Sequence, residues 1–123
     1  LAMDVLEHLT DPWRAMEQLA ALLKPGGRLI ASIPNVRNWR AVFPLLFAGR
    51  WTYAPAGILD RTHLRFFTRS SAIALATGPG LKLAAVRRLP LQAAGKARYA
   101  NWATLGLLRD FLTLQFLIAV DKP

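Results

Sequence analysis

Residues Asp4 to Asn35 read DVLEHLTDPWRAMEQLAALLKPGGRLIASIPN, and this stretch decides the fold. Asp11 is a good N-cap, and Pro12 suits the first helical position, where an amide hydrogen has no intrahelical partner. Trp13, Met16, Leu19, Ala20 and Leu23 then recur at helical spacing and form one apolar stripe. Lys24 favours the negative end of the helix dipole, and Pro25-Gly26-Gly27 stops the helix. Arg28 to Ile33 is an apolar run of strand length, closed by Pro34-Asn35. A helix, a tight glycine turn and a strand make the αβ half of a βαβ unit. Gly26-Gly27 is not a nucleotide loop, because it follows a helix and precedes a strand.

Outward from this unit, Val36 to Phe47 predicts a helix in two pieces, disturbed by Pro44. Gly49 to Phe67 has no sustained period and is rich in aromatic and charged residues, the kind of long loop that carries function. Thr68 caps a predicted helix from Arg69 to Thr77, which Gly78-Pro79-Gly80 ends. Leu81 to Leu89 is expected to be a strand, Leu91 to Arg98 a loop, Tyr99 to Leu112 a helix, and Thr113 to Val120 a central strand. Helices alternating with strands place the chain in the α/β class, a sheet with flanking helices.

Composition narrows the possibilities. A chain of 123 residues allows one domain, and 54% apolar residues argue for a folded core. The absence of cysteine excludes disulfides and thiolate metal sites. No signal-peptide pattern precedes the first helix, so a cytoplasmic location is expected. The most lipid-like stretch, Ala103 to Val120, is interrupted by Arg109 and Asp110, whereas a spanning helix needs about 20 mostly apolar residues. The net charge of +9 is spread along the chain without a nucleic-acid motif. A solvated basic surface is therefore preferred over a nucleic-acid site. A basic RNA- or membrane-associated protein is the weakest of the functional readings.

The stretch Asp4–Asn35 resembles the middle of a class I S-adenosylmethionine (SAM)-dependent methyltransferase, where it covers the end of the fourth strand, the next helix and the fifth strand. Gly57 to Thr68, GILDRTHLRFFT, is similar to a motif of a bacterial subgroup linked to glycan or cell-surface biosynthesis. The resemblance implies a partial Rossmann-like sheet: a stub of the fourth strand, then the fifth, sixth and seventh, the last antiparallel. On this reading residues 1–123 are the C-terminal half of a methyltransferase domain. No G-x-G-x-G follows a strand, and no acidic residue stands about 20 positions after one, so the cofactor-loop half is expected to be absent and the chain inactive alone. An uncovered strand edge is a template for another chain, so a homo-oligomer is expected.

The resemblance also implies roles. Ala2, Met3, Asp4 and Val5, at the end of the fourth strand, are expected to line the SAM pocket. In the loop, His63 has the intrinsic basicity for a general base, Asp60 is placed to orient it, and Arg65 suits an anionic acceptor. Tyr53 and Asn35 are further acceptor-binding candidates, the acceptor being a small molecule or glycan. In a helical turn Asp4, Glu7 and His8 would share a face, and with His63 they could ligate a divalent cation. That arrangement resembles the small-RNA 2′-O-methyltransferases, where two glutamates and two histidines hold a metal, although Asp4 stands in place of one glutamate. The expectation is no metal, with Glu7 and His8 a structural pair. The alternative to an enzyme is a non-catalytic module that dimerises or binds a partner through the open sheet edge.

Overall fold

A computed structural model describes residues 1–90, 102 and 108–123. In chain order these form β1 (Ala2–Met3), a 3-10 turn (Leu6–His8), α1 (Pro12–Leu22), β2 (Arg28–Pro34), α2 (Trp39–Ala48), α3 (Arg69–Thr77), β3 (Lys82–Pro90), α4 (Arg109–Leu112) and β4 (Thr113–Asp121). The expected loop Leu91–Arg98 and most of the expected helix Tyr99–Leu112 lie outside the described residues.

The four strands make one sheet in the order β1-β2-β4-β3. β1 runs parallel to β2, while β4 is antiparallel to both of its neighbours. The α/β class, the short first strand and a central, antiparallel last strand thus match the sequence expectation. Pairing sets Leu29 opposite Val120, Ala31 opposite Ile118 and Ile33 opposite Phe116. With a side-chain period of two, these six residues share one face, and all are buried. Met16 and Ala20 of α1 and Ala72, Leu75 and Ala76 of α3 belong to the same core. Each large side chain so enclosed contributes roughly 1.5–3 kcal/mol. β3 carries Lys82, Arg87 and Arg88, charges of the kind that protect an outer strand from further pairing.

The sequence signals for α1 operate as expected at its start, where the Asp11 side chain accepts the Arg14 amide at 3.0 Å. The other end differs. The cation at the helix carbonyls is Lys122, not Lys24: its Nζ donates to the carbonyls of Ala20 (2.9 Å) and Leu23 (2.8 Å). The glycine turn is stitched to the end of β4, with Gly26 N–H donating to Lys122 O and Lys122 N–H to Gly27 O, both at 2.9 Å. Gly26 sits at φ 75°, and a Cβ on Gly27 would come within 2.7 Å of the Lys24 carbonyl oxygen.

α2 corrects another expectation. It starts at Trp39 rather than Val36 and continues through Pro44 as one helix. Asn38 caps it by accepting the Arg40 amide at 3.1 Å. Pro44 lacks an N–H and crowds the carbonyl one turn back, yet the helix runs through it to Gly49, whose left-handed conformation (φ 59°) ends it. α3 opens with a capping box between Thr68 and Ser71.

Candidate functional site

The site begins with a bend. Asp4, immediately after β1, has φ 52°, a left-handed conformation that costs a non-glycine residue of order 1–3 kcal/mol. Its amide donates to Ser32 Oγ at 2.8 Å, and Ser32 Oγ donates to Asp4 Oδ1 at 3.0 Å. Gln115 Nε2 donates to the same oxygen. Residues from β2 and β4 therefore hold the strained bend and deliver the chain into the 3-10 turn that carries Glu7 and His8.

The loop docks onto that turn. The Glu7 carbonyl oxygen accepts the amides of Leu64 (2.8 Å) and Arg65 (3.0 Å). Asp60 Oδ1 accepts both the Thr62 amide (2.8 Å) and the Thr62 hydroxyl (2.7 Å). The amide first, then the hydroxyl, holds the Asp60 carboxyl below its ordinary value. His8 Nδ1 lies 3.1 Å from the Thr62 carbonyl oxygen and 3.0 Å from Thr62 Oγ1. His63 Nδ1 lies 3.0 Å from the Ile58 carbonyl oxygen. A carbonyl oxygen only accepts, so both Nδ1 atoms carry hydrogen, and in each neutral ring Nε2 is the bare nitrogen. The two imidazoles meet edge to face with centroids 4.7 Å apart.

Glu7 completes the cluster. It is 1% exposed, and neither carboxylate oxygen has a hydrogen-bond partner. Burial pushes its carboxyl above the ordinary value. Asp4 adds to that effect, while its own backbone amide, His63 and His8 oppose it. Glu7, His8 and His63 each present an atom able to bind a metal, all within 4.8 Å of one another. They line a cleft of about 280 Å³ with Asp4, Asp60 and Gln115, against the apolar surfaces of Pro34, Ile58 and Leu114.

Of the residues singled out from the sequence, Asp4, Glu7, His8, Asp60 and His63 come together here. Asp4 is nevertheless engaged by Ser32 and Gln115, outside the three-residue cluster. The Asp60 carboxylate bonds to Thr62, and among the described residues no hydrogen bond joins it to the His63 ring. Ala2 faces the core, whereas Met3 and Val5 are exposed.

The other three lie elsewhere. Asn35 is fully buried, with Nδ2 donating to the carbonyls of Asp110 (2.6 Å) and Thr113 (2.9 Å) and Oδ1 accepting the Arg37 amide (3.1 Å). Arg65 donates to the Thr10 carbonyl and stacks over Trp13, 5.8 Å from the ring centre. Tyr53 is exposed and tilts against Phe66. Sequence reasoning missed Gln115 and Thr62. The signals were there: an amide side chain in an otherwise apolar strand, and an Asp two residues before a Thr, the spacing of an Asx turn.

The residue pattern of a family described as a methyltransferase domain matches residues 1–86. Among curated proteins, the ubiquinone biosynthesis O-methyltransferase of Coxiella burnetii (strain RSA 331 / Henzerling II) is 35% identical over 83 residues, 66% of this chain. The match spans 34% of that relative's length. Among solved structures, an S-adenosylmethionine-dependent methyltransferase from Mesorhizobium loti superposes with a TM-score of 0.56 at 15% identity, over 98% of this chain and 59% of the other. The cyclase SpnF superposes with a TM-score of 0.58 at 14% identity, over 99% of this chain and 48% of the other. At these identities the structural likeness shows the fold alone.

Proposed function

The chain belongs to the SAM-dependent methyltransferase family, and we propose that it forms the acceptor-facing, C-terminal half of a methyltransferase domain. The acceptor we infer is the hydroxyl of a small molecule or glycan, seated in the cleft between the 3-10 turn and the loop. The O-methyltransferase name of the Coxiella relative supports oxygen as the methylated atom. Met3 and Val5 fit one wall of the cofactor pocket, because they present apolar surface at and just beyond the carboxyl end of β1. The 123 residues contain no glycine-rich phosphate-type loop, so the opposite wall is assigned to residues outside them.

The observation that carries the reading is the 3.0 Å contact of His63 Nδ1 with the Ile58 carbonyl oxygen. The His63 Nδ1–H is committed to the Ile58 carbonyl, which leaves Nε2 to accept a proton in the cleft. When bound, SAM supplies a methyl group on a sulfonium that leaves as a neutral thioether. His63 Nε2 takes the acceptor hydroxyl proton, and the neighbouring Glu7 carboxylate offsets the charge of the resulting imidazolium. Asp60 and His8 act through Thr62, as positioning residues for the loop. Calorimetric titration with SAM, of this chain and of a form extended upstream, tests the cofactor assignment. Tight binding by the extended form supports it, and binding by neither form refutes it.

A second reading is favoured by the same cluster. Two imidazoles with Nδ1–H held by carbonyls, beside a buried carboxylate with no partner, form a donor set for a divalent transition metal. A metal there would acidify the acceptor hydroxyl in place of His63. Chelation separates the two: methyl transfer that survives a strong chelator supports His63 as base, and transfer lost to the chelator and restored by zinc or manganese supports the metal.

A further inference from the structure

Lysine and arginine number 16 in this chain, against seven aspartates and glutamates. Yet Asp4, Glu7 and Asp60, three of those seven, line the cleft that holds His63, and among the described residues no lysine or arginine lines it. The ion pairs of the described residues are made elsewhere, by Asp110 and Asp121. A basic protein has therefore gathered negative charge at its candidate site.

The three carboxylates meet only neutral donors or none. Asp4 Oδ1 accepts from Ser32 and Gln115, and Asp60 Oδ1 accepts from Thr62. Both oxygens of Glu7 are buried without a partner. Asp4 is exposed, so water and salt screen its charge, whereas Glu7 is 1% exposed and its field acts in the cleft with less screening. A buried carboxylate without a counter-charge is costly, and a cation entering beside it offsets that cost.

Methyl transfer brings such a cation. The acceptor oxygen forms the O–CH3 bond, the sulfur keeps the electron pair of the broken S–CH3 bond, and the hydroxyl proton goes to His63 Nε2. The donor thus enters as a sulfonium and leaves as a neutral thioether. Both reacting groups share one methyl, so the cleft that seats the acceptor oxygen also faces the donor's charge. We infer that Glu7, with Asp4 and Asp60 around it, is the counter-charge for the donor sulfonium, a determinant that favours the cationic donor over the neutral product. This inference rests on the methyl-transfer reading, and its test separates the two.

The test is calorimetry of the upstream-extended form with SAM and with S-adenosylhomocysteine, the thioether product, in the presence of a chelator. In Glu7→Gln the affinity for SAM should fall about tenfold, while that for the thioether changes by less than about twofold. Glu7→Asp, which keeps the charge, should retain most of the parent's ratio of the two affinities. Circular dichroism checks that each variant is folded. A second measurement needs no variant and no upstream segment: trimethylsulfonium should shift the His8 and His63 ring resonances of the 123-residue chain, and its neutral isostere tert-butanol should not. Equal weakening of both adenosyl ligands in Glu7→Gln, weakening of neither, or equal ring shifts with the two small probes would overturn the inference and leave the methyl-transfer reading standing. A preference for SAM that appears only when a divalent metal replaces the chelator would assign the carboxylate to the metal and overturn it too. Binding of neither adenosyl ligand by the extended form would overturn both.

Discussion

The carbonyl oxygen of Glu7 accepts the Leu64 amide at 2.8 Å, so one residue both anchors the long loop and contributes the buried carboxyl beside His8 and His63. Its backbone builds the cleft while its side chain sets the cleft's electrostatics. Substitutions that keep the backbone in place therefore separate the two roles.

Glu7→Gln tests the electrostatic role through pH. The folded state holds the Glu7 proton more tightly than the unfolded chain, whose reference value is 4.5. Stability from this residue is full below that value and falls as pH rises through the raised folded value, because the unfolded state releases its proton first. Glutamine keeps the volume and cannot ionise. Urea midpoints measured against pH should lose this decline in the variant and exceed the parent at neutral pH.

The acid side of the profile belongs to Asp60. Its folded value lies below the reference of 3.8, so its contribution is present above that value and lost as pH falls through the lowered one. Thr62→Val removes the hydroxyl donor but keeps the amide. The variant's urea midpoint should fall less steeply with acid than the parent's, and His8 should lose its Thr62 Oγ1 contact, visible as a changed imidazole resonance in NMR.

Asn35 and Asn38 converge on the Thr113 carbonyl, at 2.9 and 3.0 Å. Alanine at either position strips buried carbonyls of a donor, and each substitution should cost about 1–3 kcal/mol. Equilibrium urea unfolding measures this, and the double variant should be non-additive because the two side chains share a partner.

Lys122→Met keeps the aliphatic stem but withdraws the ammonium from the Ala20 and Leu23 carbonyls. The expected loss is about 1 kcal/mol, combining a hydrogen-bond and a helix-dipole contribution. Lys24→Met should leave the unfolding midpoint nearly unchanged, the opposite of what position along the chain suggests.

In an enzymatically competent, extended form, His63→Gln should lower kcat by about 10²–10⁴ while leaving SAM affinity intact. Arg65→Ala should act on loop stability through Thr10 and Trp13 rather than on acceptor KM. Single-turnover methyl transfer and SAM calorimetry on the same variants distinguish these outcomes.

The elements were legible because their signals are local. The Asp11 and Thr68 caps, the Met16–Leu23 part of the apolar stripe and the Pro25-Gly26-Gly27 stop depend on neighbours within a turn or two and operate in the fold, whereas Trp13, at the head of the stripe, is exposed beneath Arg65. The alternation of helices and strands was enough for the α/β class. Pro44 misled because a lone proline weighs against a helix, through a lost hydrogen bond and crowding of the preceding turn, without ending it, and α2, capped by Asn38, runs through it.

By itself the sequence determined the order of helices and strands and the residues able to do acid–base chemistry. The tertiary structure alone decided which of them meet. Glu7, His8 and His63 converge because the strained Asp4 bend and the Glu7 carbonyl bring distant segments together. Asn35 and Arg65, equally plausible from their types, are instead consumed by the carbonyls of Asp110, Thr113 and Thr10. Periodicity and capping are set by adjacent residues, whereas the partner of a polar side chain is set by which backbone groups the fold leaves unsatisfied beside it. Those groups come from elements far away in the chain.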